Sequence, residues 1–249
     1  RERGKVGRRV GHLESSSTAV TEGNADAAEA LAGASANLAA IRVSLEVAEG
    51  LPLVKRKQAH FRLDDELEAL RRTVEAFAHD VIAPVIGDLY ERGEFPYAIV
   101  KQMGDMGLFG LPFPEELGGM GGDYLALCVA LEELARVDSS VAITLEAAVS
   151  LGAMPIHRFG TDEQKAQWLP ALVSGQMLGG FGLTEPGAGS DAGGTRTTAR
   201  LDGDEWVING TKAFITNSGT AITGFVTVTA VTGEKADGRK EISAIIVPS

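Results

Sequence analysis

The residues of this chain best suited to chemistry gather in two short stretches. These are Gly179-Gly-Phe-Gly-Leu-Thr-Glu-Pro-Gly-Ala-Gly-Ser-Asp191 and Lys212-Ala-Phe-Ile-Thr-Asn-Ser-Gly219. In and just after the first, glycines at 179, 180, 182, 187, 189, 193 and 194 permit backbone angles closed to other residues and let a ligand approach the main chain. Pro186-Gly187 marks a turn. Backbone N–H groups in such a loop, with the Thr184 and Ser190 hydroxyls, can form a nest for a phosphate without any Lys or Arg. By composition alone, a glycine-rich connection between domains fits equally well. In the second stretch, a hairpin is expected: Glu205–Asn209 as one strand, Gly210 as the turn, and 211–216 as the return. Phe214 and Thr216, two apart on that return strand, would share a face. An aromatic plane beside a hydroxyl suits a flat heterocycle with polar edges, and it also suits an ordinary barrel core.

Other chemistries find less support. Gly187-Ala-Gly-Ser-Asp-Ala192 matches the G-x-G-x-x-A form of the dinucleotide fingerprint, which carries meaning only between a strand and a helix. The following Thr195-Arg-Thr-Thr-Ala-Arg-Leu201 is rich in β-branched residues and leads to an Asp202-Gly203 turn, so that context is not expected. Histidines at 12, 60, 79 and 157 lack H-x-x-H or H-E-x-x-H spacing, and no metal site is expected. A net charge of −11 argues against nucleic acid as a partner but leaves small anionic ligands open. Cys128 is alone, which fits a reducing compartment, and it is expected in the core. No uninterrupted apolar run is long enough to span a bilayer.

The elements that must position the two stretches change character along the chain. The opening Arg1-Glu-Arg-Gly-Lys-Val-Gly-Arg-Arg9 is basic, and Ser15-Ser-Ser-Thr18 and an Ala-rich tract follow. This resembles a transit peptide in its Arg and Ser content, but Glu14, Glu22, Asp26 and Glu29 argue against one. Residues 24–49 favour a helix on propensity, and Lys55-Arg-Lys57 reads as a solvated linker. From Asp64 the pattern is helical: Leu67, Leu70, Val74, Phe77 and Val81 form one apolar face, and Pro84 is expected to end or kink it. Further helices are expected at 97–106, 124–137, 139–151 and 161–173, the last capped by Thr161 with Gln164 three residues on. Leu111-Pro-Phe-Pro-Glu-Glu-Leu-Gly-Gly-Met-Gly-Gly122 is a loop. Beyond Gly175 the period becomes two, with strands at 224–231 and 242–247 around a charged turn. The fold class is therefore α+β multidomain: residues 1–60 a flexible extension, 61–174 an all-α N-terminal domain, and 175–249 an incomplete antiparallel β-barrel. With Arg1 at its start and a partial sheet at its end, the chain is expected to be a piece of a longer protein.

Leu183-Thr-Glu-Pro-Gly-Ala-Gly-Ser-Asp191, followed by Asn209-Gly-Thr-Lys-Ala-Phe-Ile-Thr-Asn217, resembles the flavin-binding signature of the acyl-CoA dehydrogenase family. The 111–122 loop, Glu132-Glu-Leu-Ala135, Phe159-Gly-Thr-Asp-Glu-Gln-Lys165 and Trp168-Leu-Pro170 support it in the family's order, from Phe61 to the end. The resemblance implies α,β-dehydrogenation of an acyl-CoA thioester, with hydride passing to FAD. It places Phe181, Gly182, Leu183, Thr184, Gly189 and Ser190 along FAD, with Thr184 on the pyrimidine edge and Ser190 touching acyl-CoA as well. Phe214 takes the place of the family's frequent Trp beside the ring, followed by Ile215, with Thr216 near N5. The family's catalytic base is a glutamate of a C-terminal helical bundle that nothing here matches, so no catalytic residue is assigned. Glu185 is expected to stabilise the turn, and Glu132 and Glu133 to make structural contacts. The chain alone is expected to be inactive. The implied partners are an acyl-CoA, an electron-transfer flavoprotein and further subunits of a homo-oligomer. The implied location is the cytoplasm, or the mitochondrial matrix in a eukaryote. Alternatives are a flavin oxidase or monooxygenase on the same scaffold, or a non-catalytic FAD- or CoA-binding fragment.

Overall fold

The structure, a computed structural model, describes residues 63–249. The expected extension, the 24–49 helix and the 55–57 linker lie outside the described residues. Helix α1 (Asp65–Phe77) carries Asp65, Glu66 and Glu68 in its first turn, where unpaired N–H groups favour negative charge. Its apolar stripe turns inward, with Val74 and Phe77 buried. Pro84 does not stop the chain. A π-helical stretch, Ala78–Ile82, precedes helix α2 (Ala83–Arg92), and Pro84 falls in that helix's first turn, where its missing N–H is tolerated. Gly93, at φ +63°, closes α2 by donating to Leu89 and Tyr90 carbonyls, as a left-handed C-cap does.

Helix α3 (Tyr97–Asp105) leads into the proline- and glycine-rich loop before α4 (Tyr124–Val137), which Asp123 caps by accepting from the Ala126 N–H at 3.0 Å. Cys128, expected inside, is exposed. It lies four residues before solvent-facing Glu132, on the outer stripe of α4, whereas Leu127, Ala130 and Leu134 form the inner one. Asp138 then caps α5 (Ser139–Glu146). The expected end at 151 is overrun: a π-helical stretch, Ala147–Ala153, carries the helix into α6 (Met154–Phe159). The resulting Ser139–Phe159 helix is long and apolar enough to cross a membrane, but most of it is buried inside the molecule, as a core helix would be. Helix α7 (Asp162–Val173) begins with the expected capping box between Thr161 and Gln164.

The strands are β1 (Leu178–Gly182), β2 (Thr198–Asp202), β3 (Glu205–Asn209), β4 (Thr223–Glu234) and β5 (Lys240–Pro248). They form one open sheet in which β4 pairs with β1, β2 and β5, and β2 pairs with β3. The sheet is mixed where an antiparallel one was expected. β1 and β2 run parallel to β4, while β2–β3 and β4–β5 are antiparallel. β1 leaves the helical unit and reaches β4 only after the β2–β3 hairpin, so a parallel pairing is open to it.

Helices and sheet share a core in which Leu178 and Phe225 join Leu145, Val149 and Leu169. Trp168 stands edge-on to Phe225, with ring centroids 5.2 Å apart. β1 lies hard against the π-helical stretch. A Cβ on Gly179 would fall 2.9 Å from the Gly152 Cα and 2.6 Å from the Phe225 ring. Gly179→Ala is therefore expected to overpack this junction and destabilise by about 1–3 kcal/mol. Urea titration followed by Trp fluorescence should show it as a lower midpoint, and an unchanged midpoint would refute the close fit.

Candidate functional site

The two glycine- and hydroxyl-bearing segments meet over β1, though not as the expected hairpin. The hairpin present is β2–β3, turned at Gly203 with φ +61°. Residues 211–216 form no strand. The segment instead folds back over β1, with Ile215 against Gly180 and Lys212 against Gly182. There the Ala213 N–H donates to the Thr184 carbonyl at 2.8 Å. Phe214 and Thr216 thus share no strand face. Phe214 sits at φ +56°, a left-handed conformation unusual for an aromatic residue, and is 92% exposed.

This arrangement divides the glycines by role. Gly180 and Gly182 do not expose backbone for a ligand. A Cβ on the first would lie 3.1 Å from Ile215 Cγ2, and one on the second 3.3 Å from Lys212 Cγ, so their smallness seats the second segment. Gly187 and Gly189 have nothing within 4 Å of a Cβ and leave their backbone open. Gly189 and Ser190 are exposed, Leu183 is on the surface, and Phe181, Thr184, Ile215 and Thr216 are half-buried. The G-x-G-x-x-A match does follow a strand, but only a single 3-10 turn, Ala192–Gly194, comes after it before β2. The strand–loop–helix unit of a dinucleotide fold is not formed.

Below the surface the segments are joined by a buried ion pair. Glu185, 7% exposed, accepts from the Thr195 hydroxyl, from the Arg196 and Thr197 N–H groups at 2.7 and 2.9 Å, and from Lys212 Nζ at 2.9 Å. Its own backbone closes a tight turn with Ala188, through paired 3.0 Å bonds spanning Pro186-Gly187. Burial pushes the Glu185 carboxyl up, but the hydrogen bonds from Thr195, Thr197, Lys212 and Arg196 outweigh it and hold the group well below the usual carboxylate range. A carboxylate held this way is an anchor, as expected, and a poor proton acceptor. Glu133 is likewise engaged, buried between Arg71 at 3.7 Å and Arg136 at 3.5 Å, and Glu132 pairs with Arg136 at 3.3 Å.

Sequence reasoning missed Lys212 and Asn217. Asn217, buried at φ +64°, donates from Nδ2 to the Thr144 carbonyl of α5 at 2.9 Å, tying the segment to the helical unit. The available signal was a lone cation in a stretch otherwise of apolar, hydroxyl and amide residues, with Glu185 on the facing loop to neutralise it. A cavity of about 450 Å³ opens elsewhere, between Pro112, Glu115, Gly122 and His157, and none of the two segments' residues lines it.

The chain thus joins a helical unit to a mixed sheet, with a Thr-Glu-Pro-Gly turn clasped to a neighbouring loop. Residues 64–176 match the family model described as acyl-CoA dehydrogenase, N-terminal domain, and residues 180–249 that described as acyl-CoA dehydrogenase, middle domain. The chain belongs to the acyl-CoA dehydrogenase family. It is 52% identical over 190 residues to "Probable acyl-CoA dehydrogenase YngJ" of Bacillus subtilis, covering 76% of this chain and 50% of that one. Among solved structures it is similar to butyryl-CoA dehydrogenase from Megasphaera elsdenii, at 39% identity and a TM-score of 0.69, covering 76% of this chain and 50% of that one. It is also similar to an acyl-CoA dehydrogenase complexed with FAD from Bacillus anthracis, at 38% identity and a TM-score of 0.66, covering 75% and 31%. The chain spans about half the length of the first two of these proteins.

Proposed function

We propose that this chain supplies the helical and flavin-contacting portions of an FAD-dependent acyl-CoA dehydrogenase. The division falls near residue 174, between the helices of 65–173 and the strands that begin at 178. The observation that carries the proposal is the junction of the two segments. Open backbone at Gly187 and Gly189 and exposed Ser190 stand on one segment, and an almost fully exposed Phe214 on the other. The Ala213–Thr184 hydrogen bond joins the two. An exposed aromatic face and unencumbered N–H groups are what a flat heterocycle carrying phosphates needs. The similarity to an FAD complex supports the same reading.

Phe181, Leu183, Thr184, Gly189 and Ser190 would hold FAD from one side, and Phe214, Ile215 and Thr216 from the other, with Gly182 making room for the second segment and not for the cofactor. FAD, when bound, supplies the hydride acceptor for α,β-dehydrogenation of an acyl-CoA thioester. The chain's own part is to bind, orient and shield. Ser190, exposed beyond the turn, would reach the substrate as well as the cofactor. The carboxylates near the segments are committed elsewhere: Glu185 to Lys212, and Asp191 to the Gly194 N–H at 3.1 Å. The proton-abstracting carboxylate is therefore assigned outside these residues. Similarity to a butyryl-CoA dehydrogenase favours a short acyl chain. Transfer of electrons to an electron-transfer flavoprotein, assembly as a homo-oligomer, and a cytoplasmic or mitochondrial-matrix location complete the proposal.

The test uses the intact protein loaded with FAD. Anaerobic addition of butyryl-CoA is expected to bleach the flavin absorbance. Lack of bleaching by acyl-CoAs of any length would overturn the assignment, and oxygen consumption during turnover would point to an oxidase instead.

A further inference from the structure

We infer that Lys212 is a positioning residue for the two flavin segments, its buried ammonium setting how far the Thr184 segment stands from the Phe214–Thr216 segment. This rests on the flavin assignment above. The Lys212 side chain is 5% exposed, and its Nζ lies within hydrogen-bond distance of four oxygens from three parts of the chain. These are the Leu183 carbonyl at 3.0 Å, Glu185 Oε1 at 2.9 Å, Thr195 Oγ1 at 3.0 Å and, on β4, Thr229 Oγ1 at 3.1 Å.

The stem of Lys212 adds to the constraint. Its Cγ lies 3.3 Å from where a Cβ on Gly182 would stand, so the stem packs closely over β1 at a glycine that leaves it room. The flanking bonds continue the pattern. Ala213, next in the chain, donates to Thr184, and Asn217 fixes the far end of the segment to the Thr144 carbonyl. Between these two anchors Phe214 is held outward in a left-handed conformation. A compact ammonium with freely rotating donors suits a nest of single oxygens on separate elements, where a planar guanidinium would need a paired acceptor. Lys212 is too buried to act on a ligand directly, so it acts through Thr184 on one side and Phe214 and Thr216 on the other.

Lys212→Met and the milder Thr229→Val, made in the intact protein, test this with two readouts. The first is hydrogen–deuterium exchange of the cofactor-free protein. Lys212→Met, which leaves the buried Glu185 carboxylate without its cation, is expected to speed exchange in peptides covering both 183–190 and 211–217 by about a hundredfold or more, while α4 stays protected. Thr229→Val is expected to act in the same direction more weakly, and it serves alone should Lys212→Met fail to fold. The second readout is FAD affinity by flavin fluorescence, which should fall in the same order. Loosening of the whole domain alike, or of the 211–217 segment only, would overturn the inference, as would loosened segments with unchanged FAD affinity. If the unaltered protein binds no FAD while the exchange pattern holds, the flavin assignment fails and the positioning role of Lys212 stands.

Discussion

Glu185→Ala is expected to cost the fold about 3–5 kcal/mol, because it strands the Lys212 ammonium and two backbone N–H groups in a buried site. Glu185 makes the anchor through Lys212 at 2.9 Å, the Thr195 hydroxyl and the N–H groups of Arg196 and Thr197. Removing both charges together, in Glu185→Gln with Lys212→Met, should cost less than the two single changes added, since neither partner is then left as an unpaired buried charge. The pH dependence follows from the same contacts. The folded-state carboxyl is held below its unfolded value, so its contribution is present in full above the unfolded pKa of about 4.3. It is lost as pH falls from there toward the depressed folded value. The stability gap between the unaltered protein and Glu185→Ala should therefore be widest near neutrality and narrow on acidification below about pH 4. Chemical denaturation across that range measures it. A gap independent of pH would mean that Glu185 contributes by shape and not by charge.

Phe214→Gly should separate stability from ligand binding. Phe214 is 92% exposed and held at φ +56°, so little packing is lost on removing its ring. Glycine adopts that conformation without the steric cost, and relief of about 1 kcal/mol is expected in the cofactor-free protein. FAD affinity should move the other way, by about tenfold, through loss of an aromatic contact. A protein that becomes more stable and binds flavin less well would show that the strain is retained for the ligand. A variant that is stabilised with FAD affinity intact would remove Phe214 from the cofactor site.

Comparison of particular elements shows where local information ran out. Helix positions and caps were legible because their causes are local: the three- and four-residue spacing of Leu67, Leu70, Val74 and Phe77, and the Thr161–Gln164 capping box, act within one or two turns. The strands expected at 224–231 and 242–247 were legible for the same reason, through their alternating β-branched residues, though both run longer, over 223–234 and 240–248. The 211–216 segment misled because its β-branched and aromatic content matches a strand, while its conformation is set by distant groups. A lysine reaching a glutamate 27 residues away and an asparagine reaching an α5 carbonyl 73 residues away hold it off the sheet. Cys128 misled because an apolar residue on an amphipathic helix can fall on either stripe, and only the packing neighbours choose.

By itself, then, the sequence determined the order of helices before strands, the turn at Pro186-Gly187, and the pair of segments to which a flavin reading attaches. The parallel pairing of β1 with β4, the split between glycines that seat a neighbour and glycines that expose backbone, and the buried Glu185–Lys212 anchor were decided only by the tertiary structure. The physical reason is range. Propensity, capping and turn chemistry act over a few residues, whereas burial of a charge and the choice of a strand's partner depend on which distant segments fill the space around it.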